Sequence, residues 1–377
     1  MNNLLIKPFL FVLLLLTISG VMADTELPEE VIFIPKFSSV LGMKIQTRLE
    51  TTMFKPEGAG PHPLVIINHG KSPGNTHFQP RYRPLSPVRY FLERNYIVLV
   101  PMRQGFSKSE GSYIDPGCNI ISNGITQAAD VQAALDFALN LPNVNKEQIL
   151  VVGQSHGGWT SLAFGSMSKN LAVRGIVNFA GGLKKDDCVG WQNTLIEGSQ
   201  KFGLTTQTPS IWFYGDNDSF FPRTVSDPMF EQYSKGNPNA QLVTFGQFEN
   251  DSHVLFTRQT GRAIWEPYLE KFLQSIDMPF QVVNSQYLAS PKMMSPSPSG
   301  FAGISQVDQV PHINHSGKQA YNLFLEKPNP RAFAISQAGN FGWEYGTDDP
   351  LKGALSKCEK NAKSSCKLYA VDNQVVW

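Results

Sequence analysis

Long apolar runs are scarce in this 377-residue chain. The longest is Phe9 to Ile18 (FLFVLLLLTI), ten residues broken only by Thr17, too short to cross a bilayer that needs about 20 helical residues. Charge is scarce as well: 17% of residues are charged, and 32 Lys+Arg against 31 Asp+Glu leave a net charge of +1. That balance excludes a global field for nucleic acid or an anionic membrane surface. There is no internal repeat, no CxxC and no Cys/His spacing of the kind that binds zinc. The seven histidines do not cluster, and His312 and His315 have no third ligand near them in sequence. No metal and no cofactor are expected.

What is present is ample for a packed core. Apolar residues make up 41%, and 31 Gly with 26 Pro punctuate the elements. Residues 1–23 read as a secretory signal: Lys7 is the positive region, the short apolar run follows, and Val21-Met22-Ala23 offers small residues for cleavage before Asp24. The mature chain is then expected to be exported, to the periplasm or the exterior, with no membrane span. In an oxidising compartment the four cysteines favour disulfides. Three pairings are open. Cys118–Cys188 and Cys358–Cys366 are favoured because each pair falls within one expected domain.

Six short apolar runs, at 64–68, 96–100, 148–153, 175–180, 210–214 and 241–245, suit strands buried on both faces of a parallel sheet. Helical spacing lies between and after them: Val131, Ala134, Leu135 and Ala138, then Trp265, Tyr268, Leu269 and Phe272, with Pro267 as a kink or start. Alternating β and α imply a mostly parallel sheet with helices on both faces. The expected domains are a catalytic unit at 24–285, a Ser/Pro-rich linker at 286–300, and a small disulfide-stapled α+β unit at 301–377. In the last, Lys318 to Lys327 is expected to be helical and Arg331 to Ser336 a strand. Asp349-Pro350 should cap a helix, and a hairpin should turn at Asp372-Asn373.

The chemistry concentrates in Gly153-Gln154-Ser155-His156-Gly157-Gly158, a G-x-S-x-G between a strand and a helix. Gly153 and Gly157 make room for a sharp turn that lifts the Ser155 hydroxyl off the sheet. A hydroxyl needs a base, and His253 follows the last strand run. The base needs an acid, and Asp218 follows the fifth. Asp216 competes for that role. Glu249 and Asp251 lie near His253 but do not follow the preceding strand. The oxyanion donors are assigned to the backbone N–H groups of His156 and Lys71, with Ser72 as a fallback. His69 is expected to pack and shape its loop. Phe220, Phe221, Trp159 and Phe78 are candidates for an acyl pocket or for core.

His69-Gly70, Arg103-Gln104-Gly105-Phe106-Ser107, GQSHGG at 153–158, GDND at 215–218 and DSH at 251–253 together resemble the dienelactone hydrolase-like branch of the α/β-hydrolases. The resemblance covers roughly 44–276 and implies an eight-stranded, mostly parallel sheet carrying a Ser-Asp-His triad. It departs at the nucleophile, where dienelactone hydrolase has Cys, and at PMRQG, where many relatives have Asp before the Arg. It does not reach the tail beyond about 300. The expectation is an exported serine hydrolase that cleaves carboxylic esters, small or polymeric, through an acyl-enzyme. The alternatives are a prolyl oligopeptidase-like serine peptidase and a non-catalytic envelope binding protein. Phe341-Gly342-Trp343-Glu344-Tyr345 offers the tail polymer or cell-wall contact, or else packs its core.

Overall fold

A computed structural model describes residues 27–288 and 293–377, apart from the single positions 41, 169, 171, 328 and 348. The expected signal segment lies outside the described residues. The order is β1 (Glu29–Val40), β2 (Met43–Phe54), β3 (His62–Asn68), α1 (Leu85–Glu93), β4 (Ile97–Pro101), α2 (Ile120–Ala138), β5 (Val144–Gln154) and α3 (His156–Met167). Then come β6 (Val173–Phe179), α4 (Trp191–Thr205), β7 (Ser210–Tyr214), α5 (Arg223–Gly236), β8 (Ala240–Thr244) and α6 (Gln259–Ser275). The C-terminal part adds α7 (His315–Leu325), β9 (Arg331–Ser336), β10 (Phe341–Tyr345), α8 (Pro350–Ala362), β11 (Cys366–Val371) and β12 (Gln374–Val375).

The first eight strands form one sheet in the order β1-β2-β4-β3-β5-β6-β7-β8. From β4 onward every neighbouring pair is parallel; β2 is antiparallel to both β1 and β4. Alternation along each strand divides the core. Leu64 and Ile66 of β3 and Ile149 and Val151 of β5 point to the face covered by α2, α3, α4 and α5. Val65, Ile67, Leu150 and Val152 point to the face covered by α1 and α6. Continuous apolar runs are thus required by burial on both faces. Pro267 sits inside α6. Beyond α6 the chain stays packed on α1 as far as Tyr287: Asn284 Nδ2 donates to the Leu92 carbonyl at 3.1 Å, and Tyr287 is buried.

The C-terminal residues make a second, antiparallel sheet in the order β10-β9-β11-β12, with its own core around Tyr321, Phe324, Phe333 and Tyr369. Asp349 accepts from the Lys352 N–H at 3.1 Å, and Pro350 opens α8. Both disulfides are those favoured from sequence: Cys118–Cys188, and Cys358–Cys366, which joins α8 to β11. No helix among the described residues is long and apolar enough to cross a membrane.

Candidate active site

The candidate residues gather at the C-terminal ends of the parallel strands, where the loops of an open α/β sheet form a crevice. Ser155 follows β5 and precedes α3. Its backbone has φ 56° and ψ −126°, a positive φ that costs a non-glycine residue roughly 1–3 kcal/mol. Close packing enforces this turn. A Cβ on Gly153 would lie 2.1 Å from the Gly157 carbonyl oxygen, and one on Gly157 would lie 2.1 Å from that of Asn68. Ser155 N–H donates to the Phe179 carbonyl at 2.9 Å, anchoring the turn to β6.

Asp218 and His253 are brought together from the loops after β7 and β8. His253 Nδ1 lies 3.1 and 3.0 Å from Asp218 Oδ1 and Oδ2, and both side chains are buried. Oδ1 also accepts from the N–H groups of Phe220 and Phe221, at 2.8 and 2.9 Å. An ionised carboxylate only accepts, so the proton of a neutral His253 sits on Nδ1 and the lone pair on Nε2. Phe220 packs against the imidazole, tilted by 32°, with centroids 4.4 Å apart. Asp216 is engaged elsewhere: Arg223 Nη1 donates to it at 3.2 Å on the surface.

Asp251 ties the two loops together. It accepts from the His253 N–H at 2.9 Å and from the N–H and hydroxyl of Ser219 at 3.1 and 2.6 Å. Gln154, next to Ser155, donates from Nε2 to the His253 carbonyl at 3.0 Å. Sequence reasoning missed both roles. An Asp two residues before a His that begins a short turn is a recognisable side-chain-to-backbone pattern; the Gln154 contact spans 99 residues and leaves no local mark.

Below the serine turn lies a buried cation. Arg103 is fully buried and donates to the His69 carbonyl at 2.6 Å and to His156 Nδ1 at 3.1 Å. Its own N–H donates to His69 Nε2 at 3.0 Å. His69 therefore carries its proton on Nδ1, which donates to the Gly70 carbonyl at 2.6 Å. His156 carries its proton on Nε2, which donates to Asn123 Oδ1 at 2.7 Å. Burial first, and then the Arg103 charge, hold both imidazoles well below the ordinary histidine range. Burial pulls Arg103 itself down to about 10.

Lys71 and His156 both border Ser155 in a cavity of about 340 Å³, which Phe220, Phe221 and Leu183 also line. The His156 N–H is in the first turn of α3 and has no intrahelical acceptor. The Ser72 N–H, by contrast, donates to Gln79 Oε1 at 3.0 Å. Burial lowers the Lys71 ammonium. A second cavity of about 340 Å³ has Ser155 and His253 in its wall, together with His69 and Tyr82. Of the pocket candidates, Phe220 and Phe221 line these cavities. Trp159 is core, its Nε1 donating to the Ile120 carbonyl at 3.0 Å, and Phe78 stands 86% exposed. Among the described residues no three His, Cys, Asp or Glu side chains converge as a metal site.

The strand order, the parallel core and the positive-φ serine between β5 and α3 decide the architecture. The chain has the α/β-hydrolase fold. No family profile and no curated protein matches its sequence. It is similar to an esterase of Pyrococcus furiosus, at 16% identity and TM-score 0.48 over 67% of this chain and 91% of that one. It is similar to a Klebsiella pneumoniae protein designated a dienelactone hydrolase, at 16% identity and TM-score 0.44 over 65% and 99%. An acylaminoacyl peptidase of Pyrococcus horikoshii matches at 16% identity and TM-score 0.48, over 70% of this chain and 44% of that one.

Proposed function

We propose that this protein is an exported serine hydrolase of carboxylic esters, acting through Ser155, His253 and Asp218. The observation that carries the proposal is the buried Asp218–His253 pair, whose imidazole shares a cavity wall with a serine held at positive φ. Ser155 Oγ attacks the ester carbonyl carbon while His253 Nε2 takes its proton. The oxygen that gains charge receives hydrogen bonds from the N–H groups of Lys71 and His156, each such donor contributing about 10²–10³ in rate. The intermediate collapses, the C–O bond to the alcohol breaks, and His253 returns the proton to the departing oxygen. Water then attacks the acyl-enzyme with His253 as base, releasing the acid and free Ser155. Asp218 holds the Nδ1–H tautomer throughout and stabilises the imidazolium.

Between β6 and β7 the chain adds a loop and α4 alone, which leaves the crevice open to substrates of varied alcohol part. Export is supported by two disulfides and by the sequence of residues 1–23. The test is hydrolysis of a p-nitrophenyl ester series, from acetate to long acyl chains, with matched anilides alongside. Ester turnover that disappears in Ser155→Ala supports the proposal. Faster turnover of the anilides would make the protein a peptidase, and ester turnover that survives in Ser155→Ala would remove the triad.

A further inference from the structure

The β10 strand is the outer edge of the C-terminal sheet. Ser336 N–H donates to the Asn340 carbonyl at the β9–β10 turn, so alternation turns the backbone groups of Phe341, Trp343 and Tyr345 away from β9. That edge is already blocked. Asn361 Nδ2 donates to the Phe341 carbonyl at 3.2 Å, and Lys357 Nζ to the Trp343 carbonyl at 3.4 Å. Tyr345 N–H donates to Glu344 Oε1 at 3.3 Å. Side chains occupy the groups that an added strand would need, so a peptide in extended pairing is disfavoured.

Beside the blocked edge runs a trench of about 390 Å³, lined by Phe341, Trp343, Tyr345, Lys357, Lys360 and Asn361. The rings of Trp343 and Tyr345 stack, with centroids 5.8 Å apart and planes 22° from parallel, and Tyr345 is 41% exposed. Phe341 instead stacks on core Phe333, at 5.8 Å and 11°, and anchors the strand. Cations lie around these rings. Lys327 Nζ lies 5.6 Å over the Tyr345 ring, and Lys357 pairs with Glu344 at 3.0 Å. Lys360 has no carboxylate within ion-pair distance among the described residues. In the trench lining, two ammonium groups, Lys357 and Lys360, therefore meet one carboxylate, Glu344, with Lys327 beside the Tyr345 ring.

We propose that this trench binds a segment of an acidic polysaccharide. A sugar ring offers an apolar C–H face to pack on the exposed Tyr345 ring, and a rim of hydroxyl groups for Asn361 and Lys357, which line the same trench. Sugar carboxylates complement the ammonium excess at Lys360 and Lys327. A single-stranded nucleic acid also stacks on rings and seeks cations, but it gains from a basic groove along its backbone, and this chain carries a net charge of only +1.

The experiment is native gel retardation of the chain from Asp24 onward, carrying Ser155→Ala so that no turnover is involved. Polygalacturonate, neutral dextran and single-stranded DNA are the probes. Retardation by polygalacturonate alone is expected, weakening with salt and falling about ten-fold in affinity in Trp343→Ala. Lys360→Glu, on the surface, should weaken it too. No retardation by polygalacturonate overturns the proposal, as does stronger retardation by dextran or DNA, or binding unchanged in both variants. Because binding is read without catalysis, the outcome is independent of the esterase proposal.

Discussion

Arg103 donates to the carbonyl of His69 at 2.6 Å, and through that contact a buried cation grips the loop that leads into Lys71. Its other arm reaches the His156 imidazole, so one guanidinium ties the backbone before Lys71 to the side chain of the second residue assigned to the oxyanion. A planar fork does this and a point charge does not. Arg103→Lys is therefore expected to lower kcat about 10²-fold, the scale of one lost oxyanion donor, with a smaller change in KM. Arg103→Met should also lower stability, because each buried acceptor left unpaired costs about 1–3 kcal/mol. Ester kinetics and urea unfolding of the two variants check this; undiminished kcat in Arg103→Lys would remove the positioning role.

The acid is decided by comparing two aspartates. Asp218→Asn is expected to lower kcat by about 10⁴-fold, as loss of the correct histidine tautomer does elsewhere. Asp216→Asn loses only a surface pair with Arg223 and should stay near the parent rate. Steady-state kinetics of both variants against one ester suffice, and a larger loss at Asp216 would reverse the assignment.

Stability should depend on pH through His69 and His156. Both are held well below 6.5 in the folded chain, whereas in the unfolded chain they titrate near it. As pH falls below about 6.5 the unfolded state binds protons that the folded state refuses, so stability drops, by up to about 2.7 kcal/mol per pH unit for two groups. Glu29, Asp251 and Glu266 are lowered carboxylates and add their loss only at more acid pH. Urea midpoints from pH 7 to 5 should fall, and His156→Gln should roughly halve the slope. A flat profile would contradict the two buried neutral imidazoles.

The Cys118–Cys188 bridge joins the approach to α2 with the loop after β6, which lines the cavity beside Ser155. Lys185 and Asp115 pair across the same two segments at 2.7 Å. With a sequence separation of 70 between the cysteines, chain entropy gives about 4 kcal/mol of stabilisation. Replacing both by Ser should lower Tm and raise KM more than it lowers kcat. Unchanged KM would show that the loop keeps its place without the bridge.

Much of this was readable from the sequence for a definite reason. Strands buried on both faces need continuous apolar runs, so 64–68 and 210–214 announced themselves. The glycines around Ser155 are dictated by backbone contacts within a few residues and across one neighbouring strand. The expectation that Asp218 is the acid rests on its place in the turn after a strand, and the structure puts its carboxylate 3.0 Å from His253 Nδ1. The network of His69, Arg103, Asn123 and His156 was not readable, because it joins four separate stretches and each residue alone looks ordinary. Trp159 and Phe78 have the same chemical character as Phe220, and only burial separates core from surface and from pocket. Pro267 sits within a helix whose tertiary packing tolerates it.

The most direct test is covalent trapping. The mature protein would be treated with a fluorophosphonate, digested, and its peptides weighed, with Ser155→Ala and His253→Ala treated in parallel. One adduct is predicted, on the peptide containing Ser155, absent in Ser155→Ala and formed far more slowly in His253→Ala. No adduct, or an adduct on another residue, would contradict Ser155 as the nucleophile.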